Sequence, residues 1–203
     1  MNVNRIHLNE VTSTNDWLKE MLRIGVELPD FTLVDTDFQT AGRGQGTHRW
    51  ESQRGVNIIM SLLVHPLTID AKDQFILSQC MSLTIQQTLA TYIDDVRVKR
   101  PNDIYWRDRK ISGTLIECNL EGNCIKDCII GTGINVNQTV FESDAPNPVS
   151  LQTITGFSFD RETLMMSVVE TFARLYQMVL DGNSQKIVQE YESKIYDPTT
   201  YKN

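Results

Sequence analysis

The sequence predicts an α+β fold built on a mixed, largely antiparallel sheet with helices packed on one side. Three observations carry this. Apolar runs of strand length gather at 31–64 and again at 96–137, and long helical patterns stand apart at 70–93 and 160–195. Between the last two strand patterns, "EGN" at 121–123 is short and glycine-centred, as a hairpin turn requires.

Each element has its own signal. "STNDWLKEMLRIG" at 13–25 reads as a short helix, with Ser13 as N-cap, Trp17, Leu18, Met21 and Leu22 on its apolar face, and Gly25 as its stop. "FTLVDTDF" at 31–38 and "VNIIMSLLV" at 56–64 read as strands, so the glycine-rich segment between them is a long, mobile connection. Residues 70–93 form the longest helical pattern, apolar enough to cover a sheet. Strands follow at "VRVK" (96–99), "DIYW" (103–106), "ISGTLIECNL" (111–120) and "CIKDCIIGTGINVN" (124–137). The alternation within "GTLIECNL" assigns one face to the core and the other to solvent or a ligand. "NQTVFESDAPNPVSL" at 137–151 is a loop, and 160–180 and 184–195 read as two amphipathic helices. Without repeats or low-complexity linkers, residues 1–203 are expected to form a single domain.

Composition narrows the function. A hydrophobic fraction of 40% and a charged fraction of 22% are those of an ordinary globular protein, and no run approaches a membrane span. The N-terminus lacks a signal-peptide pattern. Cysteines at 80, 118, 124 and 128 form no Cys-x-x-Cys pair, which argues against zinc and for a reduced, cytoplasmic setting. The net charge of −7 argues against general nucleic-acid binding, yet nine of the 19 Lys and Arg fall within 43–54 and 97–110.

The first basic stretch overlaps "QTAGRGQGTHRW" at 39–50, where glycines at alternate positions can turn backbone N–H groups into an anion-binding nest. It matches neither the P-loop, which needs Lys-Ser/Thr after its last glycine, nor the G-x-G-x-x-G dinucleotide fingerprint. The second stretch, "VKRPNDIYWRDRKISGTLIE", offers the oxygen ligands Asn102 and Asp103, with Lys110 returning across the turn made by "RDRK".

Taken together and in this order, "STND" (13–16), "QTAGRGQGTHRW" (39–50), "KRPNDIY" (99–105), "RKISGTLIE" (109–117), "GTGINVN" (131–137) and "PNPVSL" (146–151) resemble the biotin protein ligases. The resemblance covers roughly residues 6 to 196 and implies the class II synthetase-like biotin/lipoate ligase fold. It also implies the activity. The biotin carboxylate joins the α-phosphate of ATP to give biotinyl-5'-AMP, and a lysine of a biotin carboxyl carrier protein then attacks the mixed anhydride. Such chemistry needs positive charge and positioning rather than a protein nucleophile.

Carried over by position, Ser13, Thr14, Asn15 and Gln39 would read the biotin ring, with Gly42, Arg43, Gly44 and Gln45 folding over biotin and the phosphates. Lys110 would contact the carboxylate and α-phosphate, beside Gly113. The nucleotide would meet Arg43, Gln45, Trp50, Asn102, Asp103, Lys110 and Asn135. Trp50 either stacks on adenine or anchors the core. Arg43, Lys110 and Asp103 are the expected catalytic set. ATP enters with Mg²⁺, held mainly by the phosphates with Asp103 as a candidate protein ligand. Asp103 would later orient the acceptor lysine.

Two departures from the family stand out. Arg100 occupies the place of a common Trp, and either turns outward, leaving a less apolar pocket, or joins the phosphate cluster. The glycine loop has Gln45, Gly46 and Thr47 where many relatives carry more arginine, so its grip on phosphate is expected to rest heavily on Arg43. The match begins within the first ten or so residues and ends near Tyr196, so neither an N-terminal helix-turn-helix nor a complete C-terminal SH3-like domain is expected. No DNA or membrane partner is expected, and monomer and homodimer both stay open. The alternatives are a lipoate or octanoate ligase-like enzyme, which shares the fold, and a biotin-binding module with weakened catalysis.

Overall fold

The computed structural model describes residues 3–142 and 147–200. Its centre is a seven-stranded sheet in the order β1-β2-β3-β7-β6-β5-β4. β1 (Asn4–Leu8) runs parallel to β2 (Thr32–Thr36), and every other neighbouring pair is antiparallel. The remaining strands are β3 (Ile58–Val64), β4 (Val96–Lys99), β5 (Asp103–Trp106), β6 (Arg109–Glu121) and β7 (Cys124–Ile134). The mixed, largely antiparallel sheet expected from the sequence is the one observed.

β1 is an addition. Its "NRIHL" places Arg5 and His7 on one face, where both meet Asp35 of β2, and Ile6 and Leu8 on the other against a small apolar cluster. Polar residues on a half-exposed edge strand mask the alternation that would have marked it.

Three helices cover one face of the sheet: α2 (Phe75–Leu89), α4 (Arg161–Leu180) and α5 (Ser184–Ser193). α2 is shorter than the 70–93 pattern, because a 3₁₀ turn at Ala71–Asp73 precedes it and Ala90 caps it. It is buried nearly all round, since it lies between the sheet and α4 and α5. The main core therefore runs through Leu33, Met60, Leu62 and Ile130 of the sheet to Leu77, Met81, Val168 and Phe172 of the helices.

α1 (Thr14–Arg23) lies on the opposite face, with Leu18 packed on Val34, Leu63 and Ile129. Those residues alternate with main-core residues along their strands, so one strand serves two faces. Ser13 caps α1 by accepting from the N–H of Asp16 at 3.4 Å, and Gly25 follows at φ +82. A short helix not marked by the sequence, α3 (Leu151–Thr155), is capped by Ser150 and stopped by Gly156 at φ +80. Residues 143–146 of the expected 137–151 loop, including Pro146 of "PNPVSL", lie outside the described residues. Among the described residues no helix is long and apolar enough to cross a membrane.

Candidate active site

On the α1 side of the sheet lies a cavity of about 560 Å³, the size of a small-molecule site. Its floor is formed by β6 and β7 and its rim by the start of α1, the glycine loop and the β4–β5 turn.

Lys110 reaches it through an irregularity. In a regular strand Lys110 and Gly113, three residues apart, would face opposite sides. The β5–β6 register shifts between Ile104, opposite Ser112, and Tyr105, opposite Lys110, so Ile111 is an extra residue in β6. Ile111 goes into the core while Lys110 returns to the cavity face, where its Nζ lies 2.7 Å from Asp103 Oδ1. A Cβ on Gly113 would stand 3.2 Å from both Asp103 Oδ1 and Lys110 Nζ, so the pair converges over the glycine. The backbone at Lys110 is pinned from the other side as well. Its N–H donates to Asn147 O at 2.9 Å and its carbonyl accepts from Val149 N at 2.9 Å. This is the local use of the "NPV" within "PNPVSL".

The glycine loop is folded rather than slack. Gly44 N donates to His48 O at 2.8 Å, Trp50 N to Gly42 O at 3.0 Å, and Gly46 makes the turn at φ +64. Arg43 and Arg49 face each other across this small hairpin. Trp50 lies against Gly133 of β7, where a Cβ would come within 2.6 Å of the indole Nε1. It lines the cavity and belongs to neither apolar cluster, so the core-anchor alternative does not describe it.

Beneath the α1 end lies a polar floor. Gln39 Oε1 accepts from Thr14 N at 2.8 Å and lies 3.1 Å from Thr14 Oγ1. Ser61 Oγ lies 2.6 Å from both Thr14 Oγ1 and Asn15 Oδ1, and Asn15 Nδ2 donates to Glu117 Oε2 at 2.8 Å. Gly131 makes room for Asn15, since a Cβ there would approach its amide carbon to 2.9 Å. Glu117 also receives Lys19 and, at 2.9 Å, Arg43 Nη2, which reaches Asp16 Oδ1 at 2.7 Å. Burial pushes the Glu117 carboxyl up, but the donors Lys19, Asn15 and Arg43 outweigh it and hold it below the usual range. Arg43 is likewise lowered by burial and raised, on balance, by Glu117 and Asp16.

Of the residues expected from the sequence, Ser13, Thr14, Asn15, Gln39, Arg43, Gly44 and Gln45 line the cavity at one end. Trp50, Asn102, Asp103, Lys110, Gly113 and Asn135 line the remainder. Gly42 does not. Its missing side chain instead clears Trp50 O, 2.7 Å from where a Cβ would be, and Gln39 Nε2 at 2.9 Å. Asn102 is tied to β6 by its side chain, which donates to Thr114 O, and by its carbonyl, which accepts from Thr114 N. Arg100 takes the outward alternative, pairing with Glu192 of α5 and leaving the cavity lining.

Sequence reasoning missed Ser61, Glu117, Lys99 and Tyr105. Lys99 Nζ donates to Tyr105 OH at 2.9 Å and both line the cavity. Their signal was strand parity, since Tyr105 shares the face of Asp103. Among the described residues, Trp50 Nε1, Thr114 Oγ1, Thr132 Oγ1 and Asn135 Oδ1, all from residues that line the cavity, are buried without a hydrogen-bond partner, as is Ser82 Oγ of α2 outside it. The carboxylates lining the cavity are Asp103 and Glu51, and among the described residues no group of three His, Cys, Asp or Glu could hold a metal. A phosphate-borne Mg²⁺ with Asp103 as one protein ligand fits this donor set.

Comparison with known proteins points to one family. Residues 8–135 match the family described as Biotin/lipoate A/B protein ligase. The chain is 32% identical over 178 residues to the bifunctional ligase/repressor BirA of Bacillus spizizenii, covering 85% of this chain and 53% of that one. It is 28% identical to the biotin–[acetyl-CoA-carboxylase] ligase of Mycobacterium tuberculosis, covering 81% and 61%. It thus spans about half the length of BirA relatives. The biotin protein ligase of Aquifex aeolicus in complex with biotin and ATP superposes with a TM-score of 0.82 at 28% identity, over 95% of this chain and 78% of that one. The Leishmania major enzyme with biotinyl-5-AMP, at 23% identity over 97% and 83% of the two chains and a TM-score of 0.76, shares the fold.

Proposed function

This chain belongs to the biotin/lipoate A/B protein ligase family, and from that premise we propose that it is a biotin–protein ligase. It activates biotin as biotinyl-5'-AMP and transfers it to a lysine of a biotin carboxyl carrier protein. The observation that carries the proposal is a single cavity lined by the Lys110–Asp103 pair and, toward α1, by Arg43 with the polar Thr14, Asn15 and Gln39.

In the first step a biotin carboxylate oxygen bonds to the α-phosphorus of ATP as the bond to pyrophosphate breaks. Both reactants are anions, so the residues must neutralise and align them. Lys110 supplies a point charge at the junction, and the forked Arg43 bridges two oxygens. Trp50, seated on Gly133, offers a flat apolar face to adenine, and the polar floor offers donors and acceptors to the ureido ring. Mg²⁺, carried by ATP, would add charge neutralisation at the phosphates. In the second step the acceptor amine bonds to the acyl carbon, AMP leaves, and Asp103 receives or orients the departing proton. The described residues act as one catalytic domain, in a cytoplasmic setting where ATP and the carrier meet.

An octanoyl-transfer reading would need a thiolate nucleophile at the site, and among the described residues no cysteine lines the cavity. The test is biotin-dependent exchange of labelled pyrophosphate into ATP, comparing the wild type with Lys110→Ala. Exchange that needs biotin and collapses in the variant is expected. Biotin binding without exchange would leave a binding module instead.

A further inference from the structure

Glu117 lines no part of the cavity, yet the polar floor hangs from it. Strand alternation puts Gly113, Leu115 and Glu117 on the cavity face of β6, while Ile116 and Cys118 pack on the main core. Its carboxylate, half-buried under α1, is held by Lys19 and Arg43. One of its oxygens accepts from Asn15 Nδ2 at 2.8 Å, and that same Nδ2 lies 3.3 Å from Leu115 O.

These contacts decide which way the Asn15 amide points. Its nitrogen faces two acceptors and its oxygen faces the Ser61 hydroxyl at 2.6 Å, whereas a flipped amide would set oxygen against oxygen twice. Ser61 has one proton for two close neighbours. If it goes to Asn15 Oδ1, then the Thr14 hydroxyl donates to Ser61 and Gln39 Oε1 is served by Thr14 N. The order of donors through Asn15, Ser61, Thr14 and Gln39 is thereby set from one end, by a charged residue outside the cavity.

We propose that Glu117 is the positioning residue for biotin recognition: anchored by Lys19 and Arg43, it fixes the Asn15 amide and through it the donor order of the cavity floor. The proposal rests on the biotin-ligase reading. It assigns Glu117 no contact with substrate.

The experiment is pyrophosphate exchange with biotin and ATP titrated separately, together with calorimetric binding of biotin and thermal midpoints. Glu117→Ala should raise the biotin KM about tenfold, the scale of one hydrogen bond to a charged group, and should also lower kcat, because Arg43 keeps only Asp16 as its anchor. Glu117→Gln keeps an acceptor oxygen for Asn15 and should return the biotin KM to within about threefold. Asn15→Asp sets carboxylate against carboxylate and should lose more than Glu117→Ala. Combined with Glu117→Gln, it should recover part of that loss, because the new amide can donate to the new carboxylate. Recovery by this exchange of donor and acceptor is not expected of a residue that merely supports the fold. A biotin KM within about twofold of wild type in Glu117→Ala would overturn the proposal, as would a double variant no better than Asn15→Asp. Such results in a protein whose wild type binds biotin and exchanges overturn this proposal alone. A wild type that does neither overturns the biotin-ligase reading with it.

Discussion

Gly133→Ala is a sharp test of how the nucleotide end is built. Gly133, next to the C-terminal end of β7, is paired with Ile59 on one side and Gly113 on the other, so its backbone cannot yield without disturbing two ladders. A methyl group there would stand 2.6 Å from Trp50 Nε1 and closer still to the six-membered ring, well inside van der Waals contact. Overpacking of this kind costs ~1–3 kcal/mol where the surroundings are fixed. Trp50 is not fixed in that sense, because it ends a loop and lies outside both apolar clusters. The indole should therefore swing off its seat, leaving the fold intact and removing the adenine platform. The expected result is an ATP KM raised on the order of tenfold, a biotin KM nearly unchanged, and a melting temperature within ~3 °C of wild type. Pyrophosphate exchange measures the two constants, and tryptophan fluorescence reports the displaced ring. An unchanged ATP KM with altered fluorescence would refute the assignment of Trp50 to the nucleotide. Unchanged fluorescence would refute the steric argument itself.

Arg43→Lys keeps the charge and loses the fork, so exchange should fall on the order of 10²-fold in kcat with the fold unaffected, as activity and melting curves would show. Arg100→Ala, by contrast, removes an exposed pair with Glu192 outside the cavity, and should leave the biotin KM within about twofold and cost ~0.5 kcal/mol in a urea titration. Burial raises the Asp35 carboxyl, but hydrogen bonds from Arg5 and His7 outweigh it and set it below the usual range. A depressed carboxylate contributes stability that is present above its unfolded pKa and is lost as pH falls through the folded one. Asp35→Asn should thus destabilise the protein by about 2 kcal/mol at pH 7, with the difference shrinking in acid below pH ~4 in a pH series of urea titrations. Alkylation followed by mass spectrometry should mark Cys118 before Cys80 and Cys128. Hydrogen bonding with Cys128 lowers Cys118, whereas burial pushes Cys80 far up, and Cys118 and burial together raise Cys128. Equal labelling of Cys80 and Cys118 would count against this.

What the sequence made legible follows what each signal depends on. Strands β2 to β7 and the long helices show themselves by period, because burial repeats along them. β1 and α3 do not, since a five-residue edge strand in which only Ile6 and Leu8 are apolar and a five-residue helix offer no sustained period. At the site, ordered motifs named most of the lining residues. Glu117 and Ser61 stayed hidden because each lies within a strand and matters through an amide contributed by α1, a long-range contact with no local pattern. The bulge at Ile111 stayed hidden for a related reason. Counting by twos from Gly113 sends Lys110 into the core, and only the observed β5–β6 register returns it to Asp103.

That register also bears on how an acidic chain can manage a polyanion. The net charge of −7 repels ATP at a distance, yet beyond about 8 Å at physiological ionic strength that repulsion is largely screened. Inside the cavity the balance is reversed, with Arg43, Arg49, Lys99 and Lys110 lining it against Asp103 and Glu51. Lys110 is held by Asp103 and Arg43 by Asp16 and Glu117, so these cations are placed before any anion arrives. An incoming phosphate or carboxylate then exchanges one anionic partner for another rather than ordering a free side chain. The entropic cost of fixing long Lys and Arg side chains is met in folding, and more of the electrostatic gain is available to the reacting groups. Specific contacts of this kind depend on the bulge, the glycine seats and the strand parity that aim each group. A mere accumulation of positive charge would not supply them.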